Sequence, residues 1–256
     1  MKKIYFLTFI FFISVSSNLF ARSEQIELDL LDGNKIKLWI NIYKTEKTPA
    51  PTIILLHGCG GINSDHHVWA KSINSWGYNT VMLDSFTGIV NEDVCKKPRS
   101  YQPGLRAIQT YSLANWIEKQ EWSEKKIGAI GFSHGGWSII NIATKEVRSL
   151  FPGNKIVSAV AFYPWCDNHI VGTHKRDIDL QIHIGDLDDW TPSILCETTA
   201  EKWNLKDNFY IYKGAYHSFD RLNVNHTYLQ YVIKSDYDAK ELSMKRTKEF
   251  FEKTLK

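Results

Sequence analysis

Six short apolar runs constrain this chain more than any other feature: TIILLHG, NTVMLDS, IGAIGFS, IVSAVAFYP, LQIHIGD and NFYIYKG. Each stops at Gly, Asp, Ser or Pro, and none alternates with polar residues, so they read as strands covered on both faces. Segments with helical spacing lie between them, such as Gly104 to Lys119 and Gly135 to Val147. Strands and helices in that order specify an α/β fold, a mostly parallel central sheet flanked by helices. Ahead of the first run, IELDLLDGNKIKLWINIY alternates on either side of Asp32-Gly33 and predicts an N-terminal β-hairpin. The stretch from Tyr237 to Leu255 reads as an amphipathic closing helix. In sheets of this class function gathers at the strands' carboxyl ends.

Composition sets the scale. A chain of 256 residues, 43% of them hydrophobic, buries one sizeable core, and residues 22–256 are expected to form a single domain. The net charge of +3 is spread along the chain and gives no support for nucleic-acid binding. Residues 1–21 read as a signal peptide, with Lys2 and Lys3 ahead of an apolar run from Ile4 to Val15. That run is short for a membrane span. Cleavage after Ser17 or Ala21 fits, with Leu19 a poor residue for the second site; the alternative is an uncleaved anchor. No cysteine follows the run to carry a lipid. The chain is therefore expected in the periplasm or secreted, with no membrane span in its mature form.

The run IGAIGFS ends in Gly131-Phe132-Ser133-His134-Gly135, a G-x-S-x-G pattern. A serine at a sharp strand-to-helix turn exposes its hydroxyl, and its neighbours two positions away must be small because strand and helix nearly touch. The following N–H, of His134, is placed to stabilise an oxyanion. The plain alternative is a glycine-rich turn with an incidental serine. LLHGCGG supplies a second glycine loop, where the N–H of Cys59, or next Gly60, serves as the other oxyanion donor, and His57 braces the loop. IHIGDLDDWTP offers Asp186, Asp188 and Asp189, any of which also reads as a solvated carboxylate. YKGAYHSFD then offers His217. The order Ser, Asp, His, each after a strand, is that of the α/β-hydrolases.

These segments, with LDSF and AFYPWC, resemble the dienelactone hydrolase family of the α/β-hydrolase fold, in particular an exported branch with a serine nucleophile. The resemblance runs over roughly residues 50 to 255. It implies a Ser133–Asp188–His217 triad, since the family's acid stands four residues before a proline, here Pro192; Asp189 is the second choice. Two departures matter. Family members typically carry a cysteine nucleophile where this chain has Ser133, and a glutamate at the position of Gly58 that tunes the thiol. Serine needs no such tuning, and the resemblance does not carry dienelactone over as substrate.

The implied activity is carboxylic-ester hydrolysis of a small ester, lactone or acyl compound through an acyl-enzyme, with no cofactor and no metal. A peptidase-like serine hydrolase is the alternative enzyme, and a non-catalytic binding protein on the same scaffold the alternative class. The short connection between Pro164 and Leu180 predicts a minimal lid. Trp165 and Trp190 line the pocket or belong to the core. Arg99 and Arg106 read as surface charges rather than carboxylate ligands, and His66 and His67 as surface or loop residues. In the fold so implied, Cys59 and Cys95 follow neighbouring strands, as do Cys166 and Cys196. Two disulfides, Cys59–Cys95 and Cys166–Cys196, are the expectation in an oxidising compartment; the alternative is four free thiols.

Overall fold

A computed structural model describes residues 21–31, 33–166 and 168–256. Residues 1–20 of the expected leader, and Asp32 of the hairpin turn, lie outside the described residues. Eight strands form one sheet in the order β1-β2-β4-β3-β5-β6-β7-β8. The N-terminal hairpin is β1 (Arg22–Asp29) against β2 (Lys35–Tyr43), and β2 continues antiparallel onto β4 (Asn79–Asp84). From β4 onward every pairing is parallel, through β3 (Ala50–Leu56), β5 (Ser123–Phe132), β6 (Ile156–Phe162), β7 (Asp179–Gly185) and β8 (Phe209–Tyr212). These six are the six apolar runs. In five of them the central residues, among them Ile53 to Leu56, Ala129, Ile130 and Val160, are fully buried, as strands covered on both faces must be. β8 departs from that expectation, because it closes the sheet edge and leaves Ile211 42% exposed.

The helices that cover the sheet are α1 (Ser64–Ser75), α2 (Pro103–Ile117), α3 (His134–Ile142), α4 (Lys145–Arg148), α5 (Asn168–Thr173), α6 (Ser193–Lys202) and α7 (Tyr237–Leu255). Side chains three apart on a strand point to opposite faces. A Cβ on Gly128 would meet Phe251 of α7 and one on Gly131 would meet Ile139 of α3, so α7 and α3 cover opposite faces. The helix expected from Gly135 to Val147 is two helices, because the Thr144 hydroxyl accepts from Val147 N–H and starts α4 afresh. Between β6 and β7 stands only the short α5. An element the sequence reading lacked follows His217: a two-stranded hairpin of β9 (Asn225–Tyr228) and β10 (Tyr231–Lys234).

His66 corrects an expectation. It is buried at the start of α1, 7% exposed, rather than on the surface. The Asn63 side chain caps the helix by accepting from the N–H groups of Asp65 and His66, and His66 Nδ1 accepts from Asn63 N–H at 3.1 Å. The imidazole thus stands where a capping box usually has Glu or Gln. His67 is half-buried and hydrogen-bonded to Tyr43.

Burial holds the His66 pKa down at about 4, against an ordinary value of 6.5. Above pH 6.5 the ring is neutral in both folded and unfolded chain and stability is unaffected. Between 6.5 and 4 only the unfolded chain takes the proton, so acid favours unfolding by up to about 1.4 kcal/mol per pH unit for this ring. His66→Gln keeps the accepting atom of the cap without the titration. Its unfolding free energy is expected to match wild type at pH 7.5 and to exceed it at pH 5, as measured by urea denaturation at both pH values. Parallel curves for the two proteins would contradict the assignment.

Candidate active site

Ser133 sits between β5 and α3 with φ 51° and ψ −113°, a conformation that L-residues rarely adopt. The turn exists because two glycines let three backbones converge. A Cβ on Gly131 would lie 2.3 Å from Gly135 O, and a Cβ on Gly135 would lie 2.4 Å from Leu56 O and 2.7 Å from His57 O. Ser133 N–H is tied to Phe162 O at 2.9 Å, so its backbone is fixed from β6 as well. Tyr163 and Ser218, which also have positive φ, stand beside it in the same cavity.

His217 and Asp188 reach this serine from the loops after β8 and β7. His217 Nε2 lies 3.0 Å from Ser133 Oγ, and His217 Nδ1 lies 2.8 Å from Asp188 Oδ2. Asp188 is 4% exposed and His217 2%. Asp188 Oδ1 accepts from the N–H groups of Trp190 and Thr191 at 3.0 and 2.8 Å, and the Thr191 hydroxyl stands 2.9 Å from Oδ2. With its carboxylate so engaged, Asp188 accepts the Nδ1 proton, which leaves Nε2 bare and facing the serine hydroxyl. The neighbouring aspartates have other tasks. Asp186 accepts from Gly214 N–H at 2.6 Å, and Asp189 accepts from Val232 N–H of β10 at 3.1 Å.

Cys59 and His134 line the cavity beside Ser133. A Cβ on Gly58 would lie 3.6 Å from Ser133 Cβ, so any side chain at that position would stand directly against the serine. His57 is fully buried: its Nε2 accepts from Ser85 N–H at 3.2 Å, and its Nδ1 donates to Gly58 O at 2.6 Å. It braces the loop as a neutral ring, its pKa pushed well down by burial and then by Arg106.

Arg106 is not a surface charge. It is completely buried and donates to His57 O (2.9 Å), to His134 Nδ1 (2.9 Å) and to Ser85 Oγ (3.3 Å), with its guanidinium over the Phe86 ring. One side chain thereby joins the loop after β3, the loop after β4 and the first residue of α3. Because Arg106 donates to Nδ1, the His134 proton is on Nε2 and goes to Pro98 O at 2.9 Å. Burial, with Arg106 beside it, lowers the His134 pKa to about 4; burial lowers that of Arg106 to about 9, so the guanidinium stays charged near neutrality. Arg99 is exposed, with its guanidinium 5.6 Å from the centre of the Trp137 ring.

Two cavities meet at Ser133, of about 320 and 250 Å³. Trp190 lines both, while Trp165 lines the smaller and is 36% exposed. The larger holds residues that sequence reasoning missed. Asp220, 3% exposed, accepts from Tyr163 Oη–H and from Trp69 Nε1–H, both at 2.7 Å, and Arg221 Nε donates to Asp65 at 2.8 Å. Both belong to the segment directly after His217, and the only signal was their closeness to it.

The family model of the dienelactone hydrolases matches residues 40–255. Among solved structures, the dienelactone hydrolase of Anabaena variabilis is similar at 15% identity, with 92% of this chain and 99% of that one covered and a TM-score of 0.66. A dienelactone hydrolase-like promiscuous phosphotriesterase from metagenomic libraries is similar at 16% identity, covering 91% and 99%, with a TM-score of 0.68. An esterase from Pyrococcus furiosus is similar at 18% identity, covering 92% and 94%, with a TM-score of 0.63. At these identities the likeness is one of fold. No curated protein matches the chain.

All four cysteines are bridged. Cys59 is joined to Cys95 with 4.8 Å between Cα atoms, and Cys166 to Cys196 with 5.1 Å. The first bridge fixes the loop that carries the Cys59 N–H; the second ties the end of β6 to α6, just past the loop of Asp188. They close loops of 36 and 30 residues, for which chain entropy gives on the order of 3 to 4 kcal/mol each. Reduction with dithiothreitol is expected to lower the melting temperature, and Cys59→Ser/Cys95→Ser to slow turnover more than Cys166→Ser/Cys196→Ser. Peptide mapping of the unreduced protein checks the pairing; four alkylatable thiols would contradict it.

Proposed function

The chain belongs to the dienelactone hydrolase family, and on that premise we propose a serine hydrolase that cleaves a small ester, lactone or acyl compound through an acyl-enzyme. One observation carries this reading: the unbroken line from Asp188 through His217 to a serine on a strained turn, with contacts of 2.8 and 3.0 Å. His217 Nε2 takes the hydroxyl proton as Ser133 Oγ attacks the carbonyl carbon. Asp188 keeps the ring oriented and stabilises the imidazolium. The carbonyl oxygen, now negative, is received by the N–H groups of Cys59 and His134, the latter at the positive end of α3. Collapse breaks the bond to the leaving oxygen, which takes the proton from His217. Water then attacks the acyl-enzyme, giving its proton to His217, and the acid leaves as Ser133 recovers its own.

The partner is a small molecule, since both cavities are of small-ligand size and residues 22–256 form a single domain on this reading. Export follows from the leader sequence, and the two disulfides fit it. No helix among the described residues is long and apolar enough to cross a membrane.

Ser133→Ala is expected to reduce hydrolysis of p-nitrophenyl acetate by roughly 10⁴ or more, with circular dichroism and melting behaviour close to wild type. Asp188→Asn is expected to lose far more turnover than Asp189→Asn, because only Asp188 touches His217. Retention of more than a few per cent of activity by purified Ser133→Ala, or a larger loss from Asp189→Asn, would overturn the assignment.

A further inference from the structure

The two cavities that meet at Ser133 differ in chemistry, and the reaction assigns each a half of the substrate. This step rests on the serine-hydrolase reading above. The leaving oxygen must receive its proton from His217, so the alcohol half lies where His217 is. His217 lines the larger cavity and not the smaller. The acyl half therefore enters the smaller one, on the side of His134.

Aromatic side chains dominate the smaller cavity. Trp190 and Tyr231 stack nearly parallel, with ring centres 4.9 Å apart and planes 12° from one another. Trp137 and Trp165 form a second pair with centres 6.4 Å apart, and the Arg99 guanidinium lies over Trp137. Trp165, 36% exposed, and the half-buried Trp190 leave indole faces open on the cavity, the mark of a binding surface rather than a core. The volume of about 250 Å³ compares with about 150 Å³ for a cavity that takes up benzene; it suits one ring with a short linker. The larger cavity is mixed: Trp69, Phe132, Tyr163 and Tyr228 share its wall with Asp65, Asp220 and Arg221, and these charged groups already bond to one another or to the rings.

We propose that the substrate is an ester of an aromatic carboxylic acid, the ring held among Trp137, Trp165, Trp190 and Tyr231. Stacking on flat faces orients a planar acyl group and presents its carbonyl to Ser133. An aliphatic chain of the same length fills the space without the ring-to-ring contacts.

The test compares methyl 3-phenylpropenoate with methyl hexanoate, and benzyl acetate with butyl acetate, on the full-length exported protein. The expected result is a kcat/KM about ten-fold higher for the phenylpropenoate, the size of one good aromatic contact. Benzyl acetate, whose ring is on the leaving side, should gain nothing over butyl acetate. Trp165→Ala should lower the phenylpropenoate rate more than the hexanoate rate, chiefly through KM. Binding is read separately: Ser133→Ala should bind free 3-phenylpropenoate, seen as quenching of tryptophan fluorescence, and Ser133→Ala/Trp165→Ala should bind it about ten-fold more weakly. Preference for hexanoate, equal preference for benzyl acetate, or no binding by Ser133→Ala would each overturn the proposal. Binding without Ser133-dependent turnover of any ester would leave the aromatic site standing and overturn the catalytic reading instead.

Discussion

The close approach of three backbones at Gly131 and Gly135 is the contact on which the site depends. Each glycine has another residue's main-chain oxygen within 2.4 Å of where a Cβ would be, a distance no side chain tolerates. Gly136 extends the crowding to β6, with Phe162 O at 2.8 Å from its would-be Cβ. The end of β3, the end of β5 and the start of α3 are thereby drawn to one point. The strained φ of Ser133 follows from that convergence, and so does the nearness of the Gly58–Cys59 loop to the serine. Backbone strain at a single residue persists only where its surroundings over-determine it; here it is held by the glycine contacts and by the hydrogen bond to Phe162 O.

Convergence of main chains leaves carbonyls pointing inward, and the polar interior behind the serine answers that problem. His57 O has no place in a strand ladder at the end of β3, and Arg106 satisfies it from beneath. A buried guanidinium is costly unless its donors are used. Those of Arg106 reach a carbonyl, a hydroxyl and the bare nitrogen of His134, and its flat face lies on Phe86. Neutrality of His57 and His134 is then part of the arrangement, because a protonated His134 would face the Arg106 charge at hydrogen-bond distance. The positive charge sits behind the two segments that carry the proposed oxyanion donors of Cys59 and His134, a place where it would reinforce their field.

The parts legible in the sequence are those governed by local chemistry. Five of the six apolar runs became parallel strands covered on both faces, where residues cannot alternate, and the sixth became the edge strand β8. Ser133, Asp188 and His217 were marked by their places after strands, and Gly58 and Cys59 by the glycines needed for close approach. What was illegible depended on tertiary surroundings. Arg106 lies in α2, whose buried positions include Gln109, Thr110 and Ser112, so its polar residues give no sign of facing inward. The β9–β10 hairpin escaped because its turn places Leu229 and Gln230 at φ 48° and 72°. Such positions are normally announced by Asn or Gly, and neither is there. His66 stood beside His67, and a pair of adjacent histidines says nothing about which one a helix cap will bury.

That hidden hairpin changes what the adjacent aspartates mean. Val232 N–H is held by Asp189, and Lys234 N–H reaches His217 O at 3.4 Å, so β10 is fastened to the loops of both Asp188 and His217. The same fastening carries Tyr231 onto Trp190, whose ring in turn lies 5.0 Å from that of His217. One carboxylate of the Asp188-Asp189 pair thus faces inward to the histidine and the other outward to the strand that builds the aromatic wall. Pleated alternation explains nothing here, since both residues are in a turn; what separates them is Thr191, whose hydroxyl and N–H together hold Asp188 inward. On the proposed reading, an acyl group seated against Trp190 and Tyr231 would touch the loop that carries Asp188, and the acyl site would share a wall with the line from Asp188 through His217 to Ser133.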